Sequence, residues 1–334
     1  MTARKVDIAI VGAGLAGLMA GRRLMESGLS VAIFESAPVV GGRIMTHSVG
    51  KGRADSGAQF FTVREPEFAI IVAQWLRDGV VFEWTRGWSG GSLGGPIVDG
   101  YPRYAAHNGF TALAEYLAKG LPIYRSCPIE SLSVQDEQWV LAGPNPSSMV
   151  QARAALLCLP VPEALSILAE GGVVLPEEER RALAAIRYGR CLCGLFEIEG
   201  GDELPFPGAV QRPDQAITWV ADNRRKGVSA NSRAITAHVG LAASEAYWSA
   251  DDEEVLAWIW KEIGEWFSAA TRITGARLVR WPYAVPLSTY PGRYLLGALA
   301  PLLAFAGDAF NGPRVEGAVL SGLAATGALL ASLR

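Results

Sequence analysis

Between residues 6 and 35 the chain runs from an apolar stretch, VDIAIV, through Gly12-Ala13-Gly14-Leu15-Ala16-Gly17 into a segment whose apolar residues recur at helical spacing. A second apolar run, residues 30–34, ends at Glu35, 18 residues after Gly17. Strand, glycine turn, helix and strand in this order make a parallel βαβ unit, which belongs in a sheet with helices on its faces. Each glycine has its own task. Gly12 permits the tight turn, Gly14 lets the backbone approach a pyrophosphate, and Gly17 lets the helix lie close on the strand. Free N–H groups at the start of the helix, around Leu15, Ala16 and Gly17, together with the helix dipole, favour an anion there. Glu35 suits two ribose hydroxyls better than a 2′-phosphate. The expectation is a dinucleotide-binding domain at the N-terminus.

Six residues past Glu35 come Gly41-Gly42-Arg43, and then Asp55-Ser56-Gly57-Ala58-Gln59-Phe60-Phe61. Two glycines and an arginine at this place resemble the signature of FAD enzymes of the glutathione-reductase and amine-oxidase type. The resemblance implies that Arg43 faces the diphosphate, that Gly42 lets the chain pass under the flavin, and that Gln59 and Phe60 lie beside it. Near the other end, the apolar run 302–306 leads into Gly307-Asp308, and Asn311-Gly312-Pro313-Arg314-Val315-Glu316-Gly317 opens a small-residue helix. In that class a strand, Gly-Asp and a helix start hold the ribityl chain and the pyrimidine edge of the flavin. Gly307, Asp308, Arg314, Val315 and Glu316 are the matching positions here. A helix N-terminus at that edge stabilises the negative charge that reduction places on the ring. Ile129, after the strand-like 123–125, is expected beside the adenine. Both ends of the chain then serve one cofactor, so the expected domain is discontinuous.

Composition agrees with a globular enzyme. The chain has 334 residues, half of them hydrophobic, and a net charge of −3, which argues against disorder and against nucleic acid or an anionic membrane as partner. Asp308, Arg314 and Glu316 interrupt the C-terminal apolar region, and the stretch that follows is read as too short for a membrane span. Cys127, Cys158, Cys191 and Cys193 have no metal-ligand spacing, and the three histidines are scattered; no metal is expected. Without an identifiable flavin-linking cysteine the FAD is expected to be non-covalent. A leader ahead of the first strand is not expected, and the expected location is cytoplasmic. Oligomeric state is not legible.

The expected fold is therefore α/β: a Rossmann-type FAD-binding domain of the glutathione-reductase/amine-oxidase type, interleaved with an antiparallel-sheet substrate domain. Residues 1–60, 106–160 and 286–334 are assigned to the first, 61–105 and 161–285 to the second. Within these, 109–119 reads as a helix, 122–142 as a β-meander, 154–159 as a strand, 190–198 and 234–241 as strands of the second sheet, and 249–267 as an acid-capped amphipathic helix. The crossing between domains is expected at Pro160-Val161-Pro162.

Nearly the whole chain, 5–333, resembles the renalase-like FAD-dependent oxidoreductases of the flavin-containing amine oxidase superfamily. Asp55-Ser56-Gly57-Ala58-Gln59-Phe60-Phe61-Thr62-Val63-Arg64, Val81-Phe82-Glu83-Trp84, Trp219-Val220-Ala221-Asp222-Asn223-Arg224, His238, Trp281-Pro282-Tyr283-Ala284 and Arg314-Val315-Glu316-Gly317-Ala318 carry the resemblance. It implies oxidation of 2- and 6-dihydro isomers of NAD(P)H to NAD(P)+, by hydride transfer to flavin N5, with O2 reduced to H2O2. In that picture Arg64 and Gln59 line the flavin face, His238 and Asn223 contact substrate, and Trp281 and Tyr283 wall the pocket. Hydride transfer needs positioning and exclusion of water more than an acid–base pair, in keeping with the absence of a triad or carboxylate pair in the sequence. Oxidation of amines or other small molecules is the alternative, although residues 279–287 hold no lysine of the kind amine oxidases place near N5. A non-enzymatic binder, such as the Rab escort and dissociation-inhibitor proteins, is the third. One departure stands out: Ala243 occupies a place after His238 where the group carries an aromatic side chain.

Overall fold

The computed structural model describes residues 4–88, 97–144, 150–201, 204–310 and 312–333. The chain forms two compact units, each drawn from distant stretches of sequence. Met1–Gly42, Ala114–Arg187 and Pro286–Arg334 make the first, Arg43–Leu113 and Tyr188–Val285 the second.

In the first unit the main sheet runs Leu295–Leu296, Leu302–Phe305, Val150–Leu157, Arg4–Val11, Val31–Phe34, Ile123–Tyr124. All are parallel except Leu295–Leu296 at one edge. Arg4–Val11 lies between two neighbours, and Ile8, Ala9 and Ile10 are fully buried. That position explains its unbroken apolar run, since a central parallel strand has no solvent face to alternate with. The C-terminal helix Val315–Ser332 packs tightly on the first helix, Leu15–Glu26: a Cβ at Gly322 would stand 2.2 Å from the Ala16 carbonyl oxygen. By length and apolar composition alone this C-terminal helix could cross a membrane. Its 18 residues correct the expectation that the stretch is too short. What marks it as a core helix is packing, with Val319, Leu320 and Leu329 buried beside Gly322.

The expected meander over 122–142 divides. Ile123–Tyr124 joins Val31–Phe34 as a parallel strand, and Ser131–Gln135 with Gln138–Ala142 forms a hairpin hung antiparallel on Val150–Leu157. Trp139 anchors that hairpin by donating from Nε1 to the Leu302 carbonyl at 2.8 Å. Helix Val161–Glu170 buries Ala164, Ile167 and Leu168, and the Gly171 that ends it lies so close to Leu132 that a Cβ would meet its carbonyl oxygen at 1.9 Å. The first unit therefore keeps the chain to Arg187, beyond the crossing expected at 160–162. Residues 43–60 and 106–113, assigned from sequence to the FAD-binding part, cluster with the second unit.

The second unit is built on a five-stranded sheet in the order Ala209–Gln211, Ile217–Asp222, Arg233–Val239, Tyr188–Glu199, Arg272–Pro286. The pairings among the first four are antiparallel. Period-two alternation sorts its side chains. Leu192, Phe196, Ile235, Ala237 and Val239 pack with Val255 and Ile259 of helix Asp252–Glu262. That helix starts with Asp252, Glu253 and Glu254, where acids favour the dipole. Alternate residues, among them Cys193, Leu195 and Ala234, cluster with Val49 and Ala54 of the hairpin Thr46–Val49/Gly52–Asp55. Ala243, read from sequence as facing substrate, packs against the helix-side core.

Candidate functional site

The first unit carries a backbone cradle governed by sterics. Gly12 has φ +101°, and a Cβ on Gly17 would lie 2.0 Å from its carbonyl oxygen. No side chain with a Cβ fits at Gly17 without moving the helix off the strand. Gly14 is the reverse case: a Cβ there meets no atom within 4 Å, so its surface is open. Leu15, Ala16 and Gly17, all buried, open the helix with no side-chain cap and no acid in the first turn. Gly41 donates its N–H to the Ala13 carbonyl at 2.9 Å, and Gly42, φ +55°, lies against Gly14 with its Cβ position 3.7 Å from the Gly14 Cα. Glu35 is 7% exposed. One carboxylate oxygen accepts from the Ala13 N–H at 3.0 Å, the other from the Ala37 N–H at 2.9 Å. Residues 124–127 wrap this strand end, because Glu35 donates to Tyr124 and Cys127 donates back to Glu35, each at 2.9 Å. Buried Ile129 follows directly.

A second opening of the same kind lies at the C-terminal helix. A Cβ on Gly317 would stand 2.2 Å from the Gly312 carbonyl oxygen, the same five-residue relation as Gly17 to Gly12. Gly307, with φ +146°, donates its N–H to Ser321 Oγ at 2.8 Å. Asp308 is half-buried, Arg314 is exposed just before the helix, and Val315 and Glu316 are buried in its first turn.

In the second unit the structure brings Gln59, Asn223, His238 and Trp281 together on one short segment, residues 55–59. Each spends at least one polar atom on its main chain. His238 Nε2 lies 2.9 Å from the Ser56 carbonyl oxygen and Trp281 Nε1 donates to the same oxygen at 3.1 Å. A carbonyl only accepts, so Nε2 of His238 carries the proton and Nδ1 remains an acceptor. Burial, with the Lys226 charge nearby, pushes this imidazole down to about 4 from its ordinary 6.5, and it is neutral. Asn223, fully buried, accepts from the Asp55 N–H at 3.1 Å and donates to Thr236 Oγ1 at 2.8 Å. Thr236 and Gln59 both donate to the Asp55 carbonyl, at 2.9 and 2.7 Å. Gly57 permits the approach, since a Cβ there would lie 1.9 Å from the Arg43 carbonyl oxygen.

Beneath that segment lies an ion pair the sequence analysis missed. Lys226 Nζ sits 2.7 Å from Asp55 Oδ2, and the two side chains are 0% and 1% exposed. Asp55 Oδ1 accepts from Thr46 Oγ1 at 2.6 Å and from the Phe110 N–H at 3.0 Å. Gln59 Oε1 is 3.5 Å from the same ammonium, which fixes the orientation of its amide. Lys226 ends the run Arg224-Arg225-Lys226, which looks like a solvated basic stretch; nothing local distinguishes it from its two exposed neighbours.

The remaining expected residues are scattered. Arg64 is exposed ahead of helix Pro66–Arg77. Arg43 donates to the Tyr283 carbonyl at 3.2 Å, with its guanidinium 5.9 Å from the centre of the Tyr188 ring. The Tyr283 and Tyr188 rings meet edge to face at 5.5 Å. Phe60 is half-buried in an aromatic cluster with Trp84, Trp88 and Trp219. Tyr188 and Trp88 were not anticipated. Among the described residues no group of three His, Cys, Asp or Glu side chains is arranged to hold a metal.

Comparison with known proteins gives two family matches. Residues 10–74 match the NAD(P)-binding Rossmann-like domain, and residues 81–330 match the flavin containing amine oxidoreductases. A segment of 71 residues is 38% identical to putrescine oxidase of Kocuria rosea, covering 21% of this chain and 15% of that protein. Among solved structures, putrescine oxidase bound to putrescine superposes with TM-score 0.68 at 16% identity, covering 99% of this chain and 100% of that one. Cyclohexylamine oxidase from Brevibacterium oxydans IH-35A gives TM-score 0.69 at 14% identity, covering 98% and 99%. At such identities the likeness is one of fold.

Proposed function

The chain belongs to the flavin containing amine oxidoreductase family, and from that premise we propose that it is an FAD-dependent oxidase of 2- and 6-dihydro isomers of NAD(P)H, yielding NAD(P)+ and, from O2, H2O2. The backbone cradle fits FAD. Gly14 leaves open the surface a pyrophosphate needs, the uncapped helix start at Leu15–Gly17 offers N–H groups to it, and buried Glu35 stands where the adenosine ribose hydroxyls belong. Gly42 and Arg43 serve the diphosphate, Ile129 the adenine, and Gly307, Asp308 and the helix start at Arg314, Val315 and Glu316 the flavin end. Bound non-covalently, FAD supplies the two-electron acceptor.

The observation that carries the reading is the locked segment 55–59. His238, Trp281, Asn223, Thr236 and Gln59 all hold its main chain, so Gln59 and Phe60 are presented in one fixed arrangement. Such a wall orients a hydride donor and keeps water out; it offers no acid–base pair, and the proposed reaction needs none. His238, Asn223 and Trp281 then act as positioning residues behind the segment. In this proposal Arg64 lines the flavin and Tyr283 walls the substrate pocket.

Oxidation of a primary amine is the second reading, favoured by the putrescine and cyclohexylamine oxidases the fold resembles. Against it, strand Arg272–Pro286 holds no lysine, and the ammonium of Lys226 is bound to Asp55. The deciding experiment mixes the purified yellow protein, without oxygen, with borohydride-reduced NAD+ isomers. Rapid bleaching of the flavin band, with ordinary NADH much slower, is the expected result. A flavin left oxidised by the isomers but bleached by putrescine or cyclohexylamine would replace this reading with the amine one.

A further inference from the structure

Phe60, Trp84, Trp88 and Trp219 form an aromatic box within the second unit. Trp88 and Trp219 meet at 4.8 Å nearly at right angles, and Phe60 lies 4.9 Å from Trp88 and 5.5 Å from Trp219. Trp84 closes on Trp88 at 5.0 Å. Trp88 and Trp219 are 6% and 5% exposed, yet the indole N–H of each has no acceptor among the described residues. Two other indoles do find acceptors: buried Trp139 donates to the Leu302 carbonyl and half-buried Trp281 to that of Ser56. A buried donor without a partner is costly, and two in one cluster call for a shared explanation.

The chemistry around the box narrows what would satisfy them. Phe60 and Trp84 are only half-buried, so ring surface remains for stacking. Cations already stand over the rings: the Arg103 guanidinium 5.5 Å from the centre of Trp88, the Lys226 ammonium 5.3 Å from that of Trp84. An aliphatic ammonium brings no acceptor, and the ring faces of Trp88 and Trp84 already carry a cation each. A flat, uncharged ring bearing a carbonyl brings stacking area and the acceptor that both N–H groups lack.

We propose that Trp88 and Trp219 are specificity-determining residues that bind the carboxamide of a planar ring substrate, and that the box discriminates against amines. The proposal rests on the reading of the chain as a flavin-dependent oxidoreductase and names the substrate group that site takes. The carboxamide belongs either to the nicotinamide of a dinucleotide or to a free aryl amide.

The test is calorimetric titration of the FAD-loaded protein with benzamide, benzylamine and NAD+. Benzamide and benzylamine share a ring and differ in acceptor against ammonium. Benzamide is expected to bind at least tenfold more tightly than benzylamine. Trp88→Phe and Trp219→Phe, which keep a ring and remove the N–H, are each expected to weaken benzamide about tenfold and to leave benzylamine unchanged. NAD+ binding more tightly than benzamide, with the same loss in both variants, assigns the amide to a dinucleotide; benzamide alone responding assigns it to a free aryl amide. Benzylamine binding as well as benzamide to the unmodified protein overturns the proposal without any variant having to fold. Benzamide affinity untouched in both variants also overturns it, the N–H groups then pointing at neighbouring ring faces. Because binding is read apart from turnover, inert NAD(P)H isomers would sink the functional reading and leave this result standing.

Discussion

The two units solve their design problems by different means. In the first, the decisive contacts are backbone against backbone: Gly17 on Gly12, Gly317 on Gly312, Gly322 on Ala16. In the second they are side chain against backbone: His238 and Trp281 on Ser56, Asn223 and Gln59 on Asp55, all above a buried Lys226–Asp55 pair. A steric rule of the first kind admits one residue type at each position. A hydrogen-bond network of the second kind admits several, provided every partner changes in step. The cradle should therefore fail by single substitutions that add a methyl, the network by single substitutions that strand a charge.

The largest effect should come from the ion pair. Lys226→Met leaves Asp55 buried without its counter-ion and should cost about 3–5 kcal/mol in urea denaturation. Adding Asp55→Asn should restore most of that stability, as paired neutral replacements of buried ions commonly do. A Lys226→Met protein as stable as the parent would show that the network does not depend on its charge.

Acid should come next. In the folded protein His238 is held down at about 4, whereas the unfolded imidazole titrates at its ordinary 6.5. Protons then bind the unfolded chain first. Stability is intact above about pH 6.5 and is lost as pH falls toward 4, by up to about 3 kcal/mol from this residue. His238→Gln keeps a donor for the Ser56 carbonyl and should flatten the loss in parallel denaturation series at pH 7 and 4.5. Equal slopes in parent and variant would remove His238 as the cause.

The cradle offers a finer contrast. Gly17→Ala drives a methyl into the Gly12 carbonyl and should destabilise the apoprotein by about 1–3 kcal/mol. Gly14→Ala places its methyl where no protein atom lies within 4 Å. It should leave the apoprotein's melting temperature within about 1 °C of the parent and weaken FAD binding more than tenfold, since the methyl stands where the pyrophosphate must approach. Unchanged FAD affinity in Gly14→Ala would show that the cofactor does not use this face.

How much was legible follows the same division. The glycine turns at 12–17 and 41–42, Glu35 and the C-terminal strand–helix start could be read because their requirements act within a few residues: a positive φ, a missing Cβ, an N–H at a helix end. The second unit's residues were nominated through the resemblance, and four of them, Gln59, Asn223, His238 and Trp281, meet at one segment. His238, Asn223 and Gln59 were expected to touch substrate or flavin, and each places at least one polar atom against main-chain atoms of 55–57. Lys226, missed altogether, is 171 positions from Asp55, and Trp281 is 225 from Ser56.

The sequence by itself determined the parallel βαβ unit, its glycine cradle and the cofactor class, because backbone sterics and helix-end hydrogen bonding are local and leave one residue type at each position. Only the tertiary structure decided which lysine is buried, which indoles lack an acceptor among the described residues and which surface the histidine serves. Those outcomes depend on desolvation and pairing between strands and loops far apart in the chain, and a charged or aromatic residue carries no local mark of the environment the fold will give it.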